Sequence, residues 1–124
     1  MSEAVKTYTT QMVLSANLNR HGSLFGGDLM AWMDLAAAIH AGKIMKKNCV
    51  TLLVDNILFK TPSHLGDIIT FECVEIARGR TSLTVGIKVT KSNLEVEDVE
   101  IASSSFKFVA VDESGKSVAW NEVL

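Results

Sequence analysis

Asp34 sits in an oily run. Met30, Met33, Ala37 and Ala38 surround it, and the apolar stretch continues through Leu35, Ala36 and Ile39. A carboxylate drawn out of water is costly, and a chain keeps one in such a place for a partner or a task. Two glycines, Gly26 and Gly27, launch the same stretch. Lacking Cβ atoms, they let a ligand approach a backbone amide at the start of a helix, where the dipole favours developing negative charge. An acid that takes a proton from water and an amide that receives an oxyanion are tools for adding water to a carbonyl. Asp34 is therefore the candidate general base, or a direct nucleophile that forms an anhydride, and Gly27 the candidate oxyanion donor. Gly26 is expected to line the same site; the alternative reading of the pair is a tight turn with close helix packing.

Other polar residues gather just upstream. Asn19 lies 15 positions before Asp34 in a loop, where an asparagine ordinarily caps a turn. Ser23 belongs to Gly-Ser-Leu-Phe-Gly, which lacks the spacing of a serine-hydrolase elbow, so it reads as a polar lining or capping residue. His21 is a loop histidine beside the same site. His40 follows Asp34 by six positions and does not share its helical face. These histidines, His64 and the two cysteines are too dispersed for a metal, and none is expected. Phosphate-cradling glycine motifs of the GxxxxGK[ST] or GxGxxG kind do not occur.

The elements that must position these groups follow from patterning. The 124 residues, 48% of them apolar, suit one domain spanning 1–124 with a small core. Residues 5–14 read as a strand and 15–25 as a polar loop. Residues 27–46 read as a helix, rich in alanine and ending in Lys43, Lys46 and Lys47. Strands are expected at 48–60, 67–77, 81–91 and 100–111, then a turn at Glu113-Ser114-Gly115-Lys116 and a short last strand through Trp120. One long helix among many strands with tight connections is an α+β order, an antiparallel sheet with its helix on one face. The helix is apolar nearly all round, and one sheet covers one side, so a second subunit is the natural cover for the other.

Charge and thiols narrow the setting. A net charge of −2 and scattered basic residues leave no footprint for nucleic acid, and no apolar run approaches a membrane span. Cys49 and Cys73 read as reduced thiols, which together with the lack of signal-peptide patterning in the first ten residues points to the cytoplasm.

The stretch Asn19 to Asp34, N-x-H-G-S-L-F-G-G-x-L-M-x-W-M-D, resembles the signature of the hotdog-fold acyl-CoA thioesterases with a catalytic aspartate. The likeness continues in Val50-Thr51, Val54-Asp55, Phe59, Pro62, Gly66-Asp67 and Gly79-Arg80-Thr81-Ser82, in the family's order. It implies a long helix wrapped by a five- to six-stranded antiparallel sheet, acting on acyl-CoA without a cofactor. It gives Asn19 a water-orienting or carbonyl-binding amide that works across a dimer interface on the other chain's Asp34. It also implies homodimers with interface active sites that assemble into a trimer of dimers. Arg80, Thr81 and Ser82, by their residues a hairpin turn, are placed near the pantetheine and nucleotide of CoA, Arg80 facing a phosphate. Two other readings stand beside thioester hydrolysis: a hotdog hydratase or dehydratase using His21 and Asp34, and a non-catalytic acyl-CoA-binding protein.

Overall fold

Alternation of inward and outward residues, interrupted at Gly86 and at Ile101–Ala102, builds the sheet. In the computed structural model, which describes residues 5–122, β4 (Ile68–Arg78) turns Ile69, Phe71 and Cys73 inward. β5 (Ser82–Ser92) does the same with Leu83, Val85, Ile87 and Val89. From β6 (Val99–Ala110), Ala102, Phe106 and Phe108 are buried. With period two, the opposite residues, such as Lys88 and Lys107, keep the outer face polar. β1 (Lys6–Met12) pairs with β4 on one side, and β2 (Cys49–Val54) pairs with β6 on the other. The order is β1-β4-β5-β6-β2, antiparallel throughout, and β3 (Leu58–Phe59) also pairs with β6.

Helix α1 (Gly26–Met45) lies on the inner face of that sheet. It buries Leu29, Met33, Ala36, Ala37, His40, Ala41 and Met45 there, while Trp32 packs edge-on against Phe71 at 6.4 Å. Three phenylalanines, Phe71, Phe106 and Phe108, floor the contact, each a burial of the size that contributes about 1.5–3 kcal/mol. The helix ends where Lys46 adopts a left-handed φ of 56° and its amide returns to the Gly42 carbonyl. A six-stranded antiparallel sheet curved about one long helix is the hotdog arrangement, as the residues implied.

Two expectations are corrected. The strand expected over 48–60 is broken: Asp55 turns its carboxylate onto the Asn56 amide at 2.8 Å, and the chain re-enters the sheet only at β3. Short polar side chains that bond their own backbone compete with the ladder, which explains the interruption. The short last strand is no strand. The turn forms, with Gly115 at a φ of 88° and Asp112 accepting from the Ser114 and Lys116 amides. Beyond it only an isolated bridge, Val111 to Ser117, remains. The chain then folds back over the β4–β5 turn, where Trp120 Nε1 donates to the Ser82 carbonyl at 2.8 Å.

The helix is not wrapped on all sides in one chain. Met30, Leu35 and Ile39 are exposed on α1, and Val50, Leu52, Leu53 and Val54 are exposed on the edge strand β2. Among the described residues no helix is long and apolar enough to cross a membrane.

Candidate active site

Asp34 lies on the open face of α1, half-buried, and Thr51 of β2 donates a 2.7 Å hydrogen bond from Oγ1 to its Oδ1. The carboxylate thus has one oxygen held and the other without a partner among the described residues, beside a cavity of 260 Å³. Met30, Ala31, Val54, Ile57 and Phe106 complete its walls. An anchored carboxylate bordering an apolar hollow is suited to accept a proton from a water placed there. Thr51 falls within the Val50-Thr51 motif, but its contact joins residues 17 apart and depends on strand register, which no local pattern reveals.

Cys49 lies on the same strand. Burial, and then the Asp34 carboxylate, push its thiol pKa upward. Cys73 is deeper, and burial pushes it up to about 11. Both are free and both stay protonated at neutral pH, so neither offers a thiolate.

Gly26 and Gly27 open the helix, as expected. A Cβ on Gly27 would come within 2.5 Å of the Phe25 ring, so a glycine is required there unless that ring moves. Along one helix, however, the seven residues from Gly27 to Asp34 span about 10 Å. A carbonyl held by the amide and attacked by a water on the acid needs both within about 3 Å of the reacting atoms.

Asn19 is likewise engaged locally. Its Oδ1 accepts from the amides of His21 at 2.8 Å and Ser23 at 3.1 Å, and its Nδ2 donates to Ser23 Oγ at 3.0 Å. These bonds fix the loop that leads into the helix, with His21 exposed at its tip and Ser23 half-buried. Asp28 closes the start from the other side by accepting from Asn17 Nδ2 at 3.1 Å. The loop group Asn19, His21 and Ser23 is thus brought together with Gly26 and Gly27, but not with Asp34.

Arg80, Thr81 and Ser82 form the β4–β5 turn at the far end of the sheet. Their place relative to Asp34 follows from register: Leu83 opposes Phe108, and Phe108 opposes Thr51. Two strand spacings put the turn about 10 Å across the sheet from Thr51. The Arg80 side chain is exposed, and its carbonyl accepts from the Trp120 amide at 3.0 Å. The Arg78 guanidinium stacks 5.0 Å above the Trp120 ring while bonding Glu75 through two 2.6 Å contacts. Trp120, which the sequence placed only in a supposed last strand, is the brace of this turn.

His40 faces the sheet rather than the site, as its six-residue offset from Asp34 implied. It is wholly buried, its Nδ1 lies 2.8 Å from Thr7 Oγ1, and its Nε2 has no partner among the described residues. Burial lowers its pKa, against the pull of Glu75 and together with the push of Lys43. Among the described residues no three His, Cys, Asp or Glu side chains gather as a metal site.

A helix cradled in an antiparallel sheet, with an anchored acid on its open face and a glycine pair at its start, defines a hotdog protein of the thioesterase class. The comparisons make this specific. A family model described as the thioesterase superfamily matches residues 21–97. An uncharacterized acyl-CoA thioester hydrolase of Bacillus subtilis is 35% identical over 114 residues, 91% of this chain and 66% of the relative. A hexameric thioesterase from Yersinia pestis superposes with a TM-score of 0.86 at 32% identity, covering 90% of this chain and 91% of that one. An acyl-CoA hydrolase of Staphylococcus aureus, solved with coenzyme A as an Asn-to-Ala mutant, gives a TM-score of 0.87 at 30% identity over 92% of this chain and 69% of that one. It has also been solved with an aspartate and with a threonine changed to alanine. There the asparagine precedes the aspartate by 15 positions and the threonine follows it by 17, the spacing of Asn19, Asp34 and Thr51 here. The chain belongs to the thioesterase superfamily, and so to a family of enzymes that cleave thioesters.

Proposed function

We propose that this chain hydrolyses acyl-CoA thioesters to free CoA and a carboxylic acid at a site shared by two copies, with Asp34 as general base. The observation that carries the reading is the Thr51-anchored carboxylate beside an apolar hollow on an otherwise unpaired face. Asp34 takes a proton from water as the water oxygen adds to the thioester carbon. The carbonyl oxygen becomes an oxyanion held by the Gly27 amide of the second copy, with Asn19 of that copy orienting the water. Collapse of the tetrahedral intermediate breaks the carbon–sulfur bond, and the proton on Asp34 passes to the leaving sulfur. The 10 Å separation within one helix supports the cross-chain division of labour. So does the exposed apolar edge of β2, which two-fold pairing would cover.

Arg80, Thr81 and Ser82, on the same chain as that Asp34, receive the phosphate and pantetheine end of CoA. Gly26, His21 and Ser23 line the site from the second copy. The dimers assemble further into a hexamer, in keeping with the hexameric Yersinia relative. Two isolated thiols suit a reducing cytoplasm. The reaction as written needs no cofactor, since water and the Asp34 carboxylate balance its proton transfers.

Thiol release from an acyl-CoA panel, for wild type and Asp34→Asn, tests the reading. Wild type is expected to release CoA, and the variant, with the same shape and no base, to lose a factor of about 10² to 10⁴. Undiminished release by a folded Asp34→Asn would overturn the role of Asp34.

A further inference from the structure

We propose that Trp120 is a positioning residue that holds the β4–β5 turn in the shape in which it receives a phosphate of CoA. This rests on the acyl-CoA hydrolase reading above, which brings CoA to that turn, and deepens it. The carbonyls of Arg80, Thr81 and Ser82 are all engaged by the chain itself. That of Arg80 accepts from the Trp120 amide at 3.0 Å and the Asn121 amide at 3.3 Å. That of Thr81 accepts from the Ala110 amide at 2.8 Å. That of Ser82 accepts from the Gly79 amide at 2.9 Å and from Trp120 Nε1 at 2.8 Å. Trp120 therefore bonds two of the three, one through its backbone and one through its ring. A loose carbonyl in a turn presents its negative end to an incoming phosphate, and here each one is occupied.

The donors of the turn are left over. The Arg80 and Thr81 amides have no acceptor among the described residues, and the exposed Arg80 guanidinium has no partner among them. Adjacent backbone amides and a guanidinium are the donors that a phosphate takes. Arg78 is spent differently. Its Nε and Nη2 each donate to Glu75 at 2.6 Å, and its guanidinium lies 5.0 Å from the centre of the Trp120 ring. The glutamate offsets its charge, and the stacking fixes the ring whose N–H holds Ser82. Arg80 is thus the arginine of this turn whose charge stays unpaired among the described residues, and Trp120 fastens the backbone on which it stands.

The test compares hexanoyl-CoA with hexanoyl-pantetheine, which carries the same thioester and no phosphate. The readout is the ratio of their kcat/KM values within each variant. The same preference is read apart from turnover as the ratio of affinities for free CoA and pantetheine, by calorimetry. A variant that only loosens the fold lowers both members of each ratio together. Trp120→Phe keeps a ring over Arg78 and removes the indole N–H, and it is expected to lower both ratios about fivefold. Trp120→Ala, which also removes the stacked ring, is expected to lower them about tenfold or more. In an Arg80→Gln background the same substitutions should lower the ratios by less, because Trp120 acts through the turn that carries Arg80. Unchanged ratios in both Trp120 variants, or full additivity with Arg80→Gln, would overturn the positioning role and leave the hydrolase reading intact. Wild type that prefers CoA to pantetheine in binding but releases no thiol would overturn the hydrolase reading, and the affinity ratios alone would then decide the role of Trp120. Wild type with no such preference would overturn that role outright.

Discussion

Thr51 and Asp34 are joined by a 2.7 Å hydrogen bond that ties the open face of the helix to the edge strand of the sheet. The acid is thereby held by a strand that is itself held only on one side, by β6. Thr51 acts through Asp34 and is a positioning residue. Hydrogen bonds to charged groups contribute about 1.5–3 kcal/mol, so Thr51→Ala is expected to lower kcat by about tenfold to a hundredfold. Thr51→Ser, which keeps the hydroxyl, should restore most of it. Equal losses in the two variants, measured by steady-state thiol release, would mean that the strand and not the bond matters.

The proposed division of the site between two chains predicts complementation. Asp34→Asn and Asn19→Ala each remove a group from one side, and each alone should be inactive. In a heterodimer, one of the two sites receives Asp34 from one chain and Asn19 from the other, and the second site receives neither. Random pairing after co-refolding is expected to recover about a quarter of wild-type activity, since half the dimers are mixed and each has one intact site. No recovery from a mixture shown to contain heterodimers would place both residues in one chain's site.

His40 predicts the acid limb of stability. Burial lowers its pKa, so the native state holds it neutral at pH values where the unfolded chain, near 6.5, already binds a proton. Between those two pKa values the unfolded state carries the extra proton, and stability rises with pH. The contribution is complete above about pH 6.5 and is lost as pH falls below it, at no more than about 1.4 kcal/mol per pH unit. The groups acting on it are Thr7 on β1, Glu75 on β4, and Lys43 one turn further along the helix. Thermal melts from pH 8 to 5 should show this slope in wild type and a shallower one in His40→Gln. Identical slopes would assign the acid limb to other groups.

The helix was legible because its alanines, its opening glycines and its closing lysines are local signals, and local signals decide where a helix starts and stops. The inner faces of β4, β5 and β6 were legible through their alternation. The break between β2 and β3 was not, because it begins at Asn56, whose amide turns to the Asp55 carboxylate while the Asp55 amide still reaches the Ser105 carbonyl of β6. The last strand failed for a different reason: the turn at Gly115 forms, but beyond its single bridge the segment spends its amides on the β4–β5 turn instead of a ladder. At the site, residue types were readable and distances were not. Gly27 and Asp34 look like neighbours in a line of text and stand two helical turns apart. Thr51, remote in the text, touches the acid because the pairing of β2 with β6 sets it beside α1.

That same strand has a consequence for handling the protein. β2 presents Val50, Leu52, Leu53 and Val54 along a sheet margin that pairs with no further strand among the described residues. A bare apolar margin of this kind is a template on which any extended segment, from a stranger or from a misplaced copy, can crystallise a further strand. Lysine or proline guards are missing from it; the nearest charge is Asp55, just past its end. The solubility of freshly made chains is therefore in competition with correct pairing. Lesions that slow pairing will be seen first as inclusion bodies and turbid preparations, well before any change in the chemistry of the fraction that remains in solution.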